Sequence, residues 1–258
     1  MKIKYYVPSC GRAKTIKTLD YITQSIALVS DEEYEEYIKY HPEYKDRIMK
    51  MPKGVQGHGK SRCLNYMLDN LWDGCDYIIH LDDDIDCLMA HMKNEKDRKI
   101  SEEEFYEICE NNCRLAKEWG CGIWGVSPNS DPMVYDEFKP FRLHAYLDGA
   151  IIGYVEKNEL RYDEELTIKE DVDYFLQNLK KYHKALRVDK YYLKDEAFTN
   201  EGGCQWFRSE EEEKRQFMEM QKKWGVDVIR PNRPVATNSS KIRGLGGAIR
   251  LNLPFSGC

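Results

Sequence analysis

Short apolar runs alternate with amphipathic stretches along most of this chain. Ile3 to Val7 is predicted as a first strand closed by Pro8, and Ser9-Cys10-Gly11-Arg12 as a turn whose glycine lets backbone approach a ligand. A helix is expected from about Lys14. Ser25 to Val29 follows as a second strand, after which Asp31-Glu32-Glu33 caps a tyrosine-rich helix through Tyr40. Ile48 to Met51 is a weak third strand, Gly54 to Gly59 a glycine-rich loop, and Arg62 to Leu71 a helix with Leu64, Leu68 and Leu71 on one face. Tyr77 to Leu81 reads as a buried strand. Ser101 to Trp119 reads as an amphipathic helix with an acidic first turn, Gly122 to Val126 as the next strand, and Leu147 to Val155 as a further apolar run. Glu170-Asp171-Val172-Asp173 opens a helix through Lys181 with Phe175 and Leu179 on its apolar stripe, and Ser209 to Trp224 forms a charged helix. Such alternation argues for an α/β fold, a mainly parallel sheet with helices on both faces, with ligands gathered at the carboxyl ends of the strands.

Asp82, Asp83 and Asp84 stand at one of those ends, directly after Tyr77-Ile78-Ile79-His80-Leu81. Carboxylates so crowded repel one another, and a hard divalent cation with oxygen ligands relieves them, which favours Mn2+ or Mg2+ over zinc. An ion held there would bridge the phosphates of a nucleotide diphosphate and steady them as they leave. The plain alternative is an acidic turn after a strand.

At 258 residues the chain suits one large domain, with residues 1–90 as a nucleotide-binding half, 91–229 as an acceptor half and 230–258 as a basic, flexible tail. The tail holds Arg230, Arg233, Lys241, Arg243 and Arg250 among glycines and serines, which suits either a loop that orders on phosphate or a solvated end. A net charge of −6 excludes indiscriminate coating of nucleic acid but leaves room for a local basic groove. Nine cysteines, an odd number without a C-x-x-C pair, suggest neither a disulfide framework nor a zinc ribbon, and Cys109, Cys113 and Cys121 read as core. No apolar stretch reaches membrane-spanning length and the amino terminus lacks a signal-peptide pattern, so a soluble, cytoplasmic protein without a membrane partner is expected.

A rival reading starts from Gly54-Val55-Gln56-Gly57-His58-Gly59-Lys60-Ser61, which satisfies the phosphate-loop pattern G-x-x-x-x-G-K-S. In that kinase or NTPase, Lys60 would reach the outer phosphates and Ser61 would hold magnesium. The preceding Arg47-Ile48-Met49-Lys50-Met51-Pro52-Lys53 interleaves charge and ends in proline, which a buried central strand would not do. Only one helix separates the loop from the aspartates.

Four landmarks in order account for more of the chain: Val7-Pro8-Ser9-Cys10-Gly11-Arg12, Gly59-Lys60-Ser61-Arg62-Cys63-Leu64-Asn65, Leu81-Asp82-Asp83-Asp84 and Glu170-Asp171. Together they resemble GT-A-fold glycosyltransferases, most closely the phage DNA-base enzymes of the TET-associated and base J types. The resemblance implies a GT-A Rossmann-like mixed, mainly parallel sheet, a nucleotide-sugar donor with a UDP-sugar favoured, Mn2+ or Mg2+, and a hydroxymethylated pyrimidine in phage DNA as acceptor. By resemblance, Ser9, Gly11 and Arg12 line the nucleotide pocket and Asp31 meets the base. Lys60 joins this donor site, Arg62 lies near the pyrophosphate and Asp82 and Asp83 near the ribose, while Asp84 with Asp82 holds the metal. Glu170-Asp171 matches the acidic pair on the acceptor side, with Asp171 as the base that takes the acceptor proton. The plain readings stay open: Arg12 caps a sheet edge, Arg62 pairs with a surface acid, and the acids decorate a helix start. Trp206 and Arg243 are candidate acceptor contacts, as are Phe207 and Arg208. No histidine follows His183, so the late histidine that many relatives offer a metal is missing. A binding module that keeps the fold without the chemistry is a further alternative.

Overall fold

Strands with apolar side chains on both faces need cover on both sides, and this sequence supplies it with helices interspersed among the strands. The computed structural model describes residues 1–55, 59–93, 95–155, 158–195, 208–231 and 249–253. In chain order the elements are β1 (Ile3–Pro8), α1 (Thr18–Tyr21), β2 (Ser25–Val29), α2 (Tyr34–Tyr40), β3 (Ile48–Lys50), α3 (Ser61–Asn70), β4 (Tyr77–Leu81), β5 (Ile85–Ala90) and β6 (Arg98–Lys99). Then come α4 (Glu102–Glu118), β7 (Ile123–Ser127), β8 (Phe141–Arg142), β9 (Ile151–Val155), α5 (Glu170–Tyr182), β10 (Leu186–Asp195), α6 (Glu210–Trp224), β11 (Ile229–Pro231) and β12 (Ile249–Leu251).

One ten-stranded sheet runs in the order β3-β2-β1-β4-β9-β7-β10-β5-β6, with β8 paired to β10. Strands β3, β2, β1 and β4 are parallel, and β9 runs against both β4 and β7. Since β10 is parallel to β7, and β5 and β8 oppose it, the sheet is mixed but mostly parallel. Reversal of β9 has a local result: its first residue, Ile151, pairs with Leu81, the last of β4. The segment entering β9 therefore lies beside the three aspartates.

Side chains alternate across the sheet. Tyr5, Val7, Ile79, Leu81 and Trp124 pack on one face with Phe105, Cys109 and Cys113 of α4. Tyr6, Ile78 and Tyr154 pack on the other with Leu64 and Leu68 of α3 and Tyr174 and Phe175 of α5. Cys109, Cys113 and Cys121 are buried, as core cysteines should be. Helix α4 starts at a capping box in which the Ser101 hydroxyl accepts from Glu104 N at 3.2 Å and Glu104 accepts from Ser101 N at 3.1 Å. Among the described residues, no helix is long and apolar enough to cross a membrane.

Two local expectations change. The helix expected from about Lys14 is a turn followed by one helical turn at Thr18, because Lys17 N donates to Asp83 O at 2.8 Å and the Thr18 hydroxyl to Asp82 O at 2.6 Å. Binding the acidic loop replaces the helix. Within the apolar run from Leu147, strand pairing starts only at Ile151, because Asp148 accepts from Ala150 N at 3.1 Å and folds residues 148–150 into a turn.

Gly153 of β9 shows how tightly the layers meet, since a methyl group there would overlap the fully buried indole of Trp124. Gly153→Ala should cost about 1–3 kcal/mol through overpacking. Urea unfolding would measure it, and a change within about 0.5 kcal/mol, the size of a neutral surface substitution, would mean the core yields there.

Candidate active site

Backbone bonds fix the aspartate turn first. Asp82 N donates to Ala150 O at 2.9 Å, and Ile85 N to the Thr18 hydroxyl at 3.0 Å. With the chain pinned on both sides, the three carboxylates point to different partners. Asp83, buried, accepts from the Ser9 hydroxyl and from Arg12 Nη1, each at 2.5 Å. Arg12 Nη1 also reaches Asp84 Oδ2 at 2.8 Å. Asp82 is the more open of the three and pairs with Lys60 Nζ at 2.7 Å.

These partners divide the titration of the turn. Burial pushes Asp83 up to about 6 against the pull of Arg12 and Ser9, and burial with the charge of Asp82 raises Asp84. Burial would raise Asp82 too, but the Lys60 ammonium outweighs it and holds that carboxyl below its ordinary value. Burial likewise opposes the Arg12 charge, and Asp83 and Asp84 more than restore it. Behind them, the Tyr37 hydroxyl lies 2.7 Å from the Ser9 hydroxyl and accepts from Arg12 N at 3.2 Å, while Glu33 accepts from Gly11 N at 2.9 Å. Helix α2 thus shapes the Ser9–Arg12 turn.

Lys60 joins this cluster to a second one. Its ammonium donates to Gly149 O at 3.2 Å, and His80 Nε2 donates to the same carbonyl at 3.0 Å. The carbonyl only accepts, so Nε2 carries the proton and Nδ1 accepts from the Tyr154 hydroxyl at 2.8 Å. Tyr162 continues this buried chain at 2.7 Å. Burial and the charge of Lys60 hold His80 down to about 3, so the ring is neutral.

On the far side of Gly149 stands Asp171, at the first turn of α5. Its Oδ1 accepts from Val172 N at 2.7 Å and its Oδ2 from the Tyr146 hydroxyl. A Cβ on Gly149 would sit 2.8 Å from Asp171 Oδ2, so glycine there admits the carboxylate. Arg187 Nη1 holds Tyr146 O at 2.9 Å, and Tyr146 meets the Phe175 ring edge-on at 5.7 Å. Glu170 is buried, and burial together with the adjacent Asp171 charge raises its carboxyl well above the usual range. The helix start therefore presents one acid biased toward its neutral form and, beside it, Asp171 positioned by its neighbours.

The donor set at residues 82–84 is oxygen alone, which suits a hard cation. Among the described residues, no three His, Cys, Asp or Glu side chains are grouped to hold a metal ion. The protein would give Asp84 and Asp82, leaving phosphate oxygens and water for the remaining positions, a division common for magnesium. The residues fit such an ion on those terms.

Ser9, Gly11, Arg12, Lys60, Asp82, Asp83 and Asp84 come together, Asp171 reaches them through Gly149, and Glu170 is buried within range of the charges of Lys60 and Asp82. Asp31 lies beyond β2 on the same edge of the sheet, exposed, with Lys50 Nζ at 3.0 Å. Arg62 is turned to Glu164, Nε to Oε2 3.2 Å. Trp206 and Arg243 lie outside the described residues, as do Gln56, Gly57 and His58 of the glycine-rich loop. Ser61 does not face a phosphate site: its hydroxyl is buried and donates to Leu166 O at 2.9 Å. The hydroxyl that the phosphate-loop reading needs beside a metal and phosphates is therefore turned into the core instead. Glu33, Tyr37, His80 and Tyr146 were not singled out by the sequence, although His80 is the one strongly polar residue in an otherwise buried apolar strand.

The sequence profile described as TET-associated glycosyltransferase matches residues 3–203. No curated protein matches the chain. Among solved structures, TarS residues 1–349 of S. aureus in complex with UDP matches at 13% identity and a TM-score of 0.46, over 74% of this chain and 60% of that one. A mannose-1-phosphate geranyltransferase from Thermus thermophilus matches at 10% identity and a TM-score of 0.44, over 76% of each chain. The chain spans about three fifths of the TarS structure. Because the family profile covers well over half of the sequence, this chain belongs to the TET-associated glycosyltransferases and is a glycosyltransferase.

Proposed function

We propose that this chain moves a sugar from a nucleotide-sugar donor, with a UDP-sugar the first to test, to the hydroxyl of a hydroxymethylated pyrimidine in phage DNA, with Mn2+ or Mg2+ as cofactor. The observation that carries the reading is the junction at Gly149, where Lys60 beside the acidic turn and Asp171 beside the acceptor side meet one residue. The name of the family supports DNA as the acceptor.

In a direct displacement the acceptor oxygen attacks the anomeric carbon and gives its proton to Asp171. The bond from that carbon to the donor diphosphate breaks, and the diphosphate leaves with the electron pair. A hydroxyl is a poor nucleophile until its proton is drawn away, which is the role of the carboxylate. Arg12 and Lys60 are the fixed cations near the leaving group, and a bound metal ion would add Lewis-acid neutralisation of the departing phosphates. Neutral Glu170 adds no second negative charge beside the base. Attack opposite the leaving group inverts the anomeric centre.

Tyr146 orients the base. Around Asp171 stand Glu170 on its own helix, Tyr146 and Asp148 from the loop before β9, and Lys60, His80, Tyr162 and Tyr174 around the adjoining cavity. The Tyr146 hydroxyl donates to Asp171 Oδ2 and fixes the direction in which that oxygen points.

Asp171→Asn should bind donor as the wild type does and lose transfer by roughly a hundredfold or more. Labelled-sugar transfer to hydroxymethylated DNA, run beside unmodified DNA, measures this. Near-normal turnover would remove Asp171 as base, and equal labelling of both DNAs would remove the modified pyrimidine as acceptor. Tyr146→Phe should lower kcat roughly tenfold with little change in donor KM. A wild-type kcat would leave Tyr146 with packing alone. For the cation, Asp84→Asn should weaken UDP binding measured calorimetrically in manganese and change little in EDTA; wild-type affinity indifferent to manganese would end the metal's part.

A further inference from the structure

Charge is segregated along this chain. Residues 228–258 hold Arg230, Arg233, Lys241, Arg243 and Arg250 and no aspartate or glutamate, so with a formal total of −6 the preceding residues carry −11. The structure gives two of those arginines a specific place.

Strands β11 and β12 form a two-stranded antiparallel ribbon with Arg230 directly opposite Arg250. Ile229 is fully buried, and Ile249 and Leu251 pack with Met220 and Trp224 in the core beneath. Alternation along each strand then turns both arginines outward, and both are exposed. Residues paired in this way hold their Cβ atoms about 4.5–5.5 Å apart, and like charges there are destabilising. A counter-charge near them is Asp227, whose carboxylate lies 3.4 Å from Arg230 Nη2 at an exposed site where an ion pair contributes little. A short ribbon that keeps two cations abreast is under an electrostatic load that a polyanion would relieve.

We propose that the outer face of this ribbon, through Arg230 and Arg250, docks the sugar–phosphate backbone of the nucleic-acid acceptor. The proposal rests on the DNA-acceptor reading above. A nucleic acid fits this face better than a lipid surface, because Ile229, Ile249 and Leu251 of the ribbon turn to the core beneath and the face itself presents cations. Paired guanidinium groups also match phosphate oxygens in geometry.

The test compares the full chain with Arg230→Gln, Arg250→Gln, the double variant and Arg250→Lys, by fluorescence anisotropy on a labelled hydroxymethylated duplex across a salt series. Each glutamine should weaken binding several-fold and reduce the slope of log K against log salt by about 0.9, while lysine keeps most of the affinity. Thermal unfolding of the double variant should match or exceed the wild type, since a repulsion has gone, and donor hydrolysis without DNA should be unchanged. Unaltered affinity and slope in the double variant would overturn the docking face alone. A wild type that binds anionic vesicles more tightly than the duplex would overturn it in favour of a membrane. A wild type that binds no duplex would overturn the acceptor reading and the docking face together.

Discussion

Three carboxylates on one turn repel one another, and the arrangement of the site follows from how that repulsion is borne. Two fixed cations answer it from opposite sides. Arg12 takes Asp83 and Asp84, and Lys60 takes Asp82. The division matters because it leaves the turn with unequal members: a buried Asp83 raised to about 6, and a more open Asp82 held low by its ammonium partner. In the proposed reaction, donor binding would redistribute these same charges, since a diphosphate would compete with the carboxylates for Arg12 and Lys60. A divalent ion would then compensate the carboxylates as the cations turn toward phosphate, which is a physical reason to propose a metal where two basic side chains already stand.

Sheet topology decides what stands beside that turn. A purely parallel sheet would put the start of β9 at the far edge, away from Leu81. Reversed between β4 and β7, β9 instead begins next to the aspartates, and the residue two before it is Gly149. That glycine serves two sides at once, its carbonyl receiving Lys60 and His80 and its bare Cα admitting Asp171. The buried chain Tyr162–Tyr154–His80 fixes the carbonyl from below. A buried polar group without a partner is costly, so this chain is held as a unit, and its rigidity passes to Lys60.

How much of this was legible beforehand differs by kind of feature. Strands β1, β2 and β4 and helices α3, α4 and α5 carried strong local periodicity and lie within a residue or two of their expected bounds. Strand β5 was hidden because only the acidic turn at residues 82–84 separates it from β4. In β10 the register shifts between Val188 and Tyr192 as the strand passes from β7 to β5, which blurs any period of two. The acidic turn and the Glu170-Asp171 start could be found because their chemistry is local. Tyr37, Glu33 and Tyr146 could not, because each acts across the fold on a residue distant in sequence. Arg62 shows the converse: in the sequence it is a cation near a glycine loop, and in the fold it faces Glu164.

The proposed acceptor is itself a polyanion and would meet a body carrying −11. At physiological salt, charges separated by more than about 8 Å are largely screened, so the overall repulsion is soft and local cations decide contact. The strongest cations in the site cannot serve, because Arg12 and Lys60 are sunk among carboxylates with side chains 11% and 15% exposed. Cations for the acceptor must therefore project from elsewhere, without carboxylates packed around them. The stretch after Asp227 is composed that way, and its ribbon turns two arginines to solvent while its apolar residues anchor it to α6. Segregating the charges by region would let one chain hold a concentrated acidic turn and still approach the phosphate backbone of the proposed acceptor.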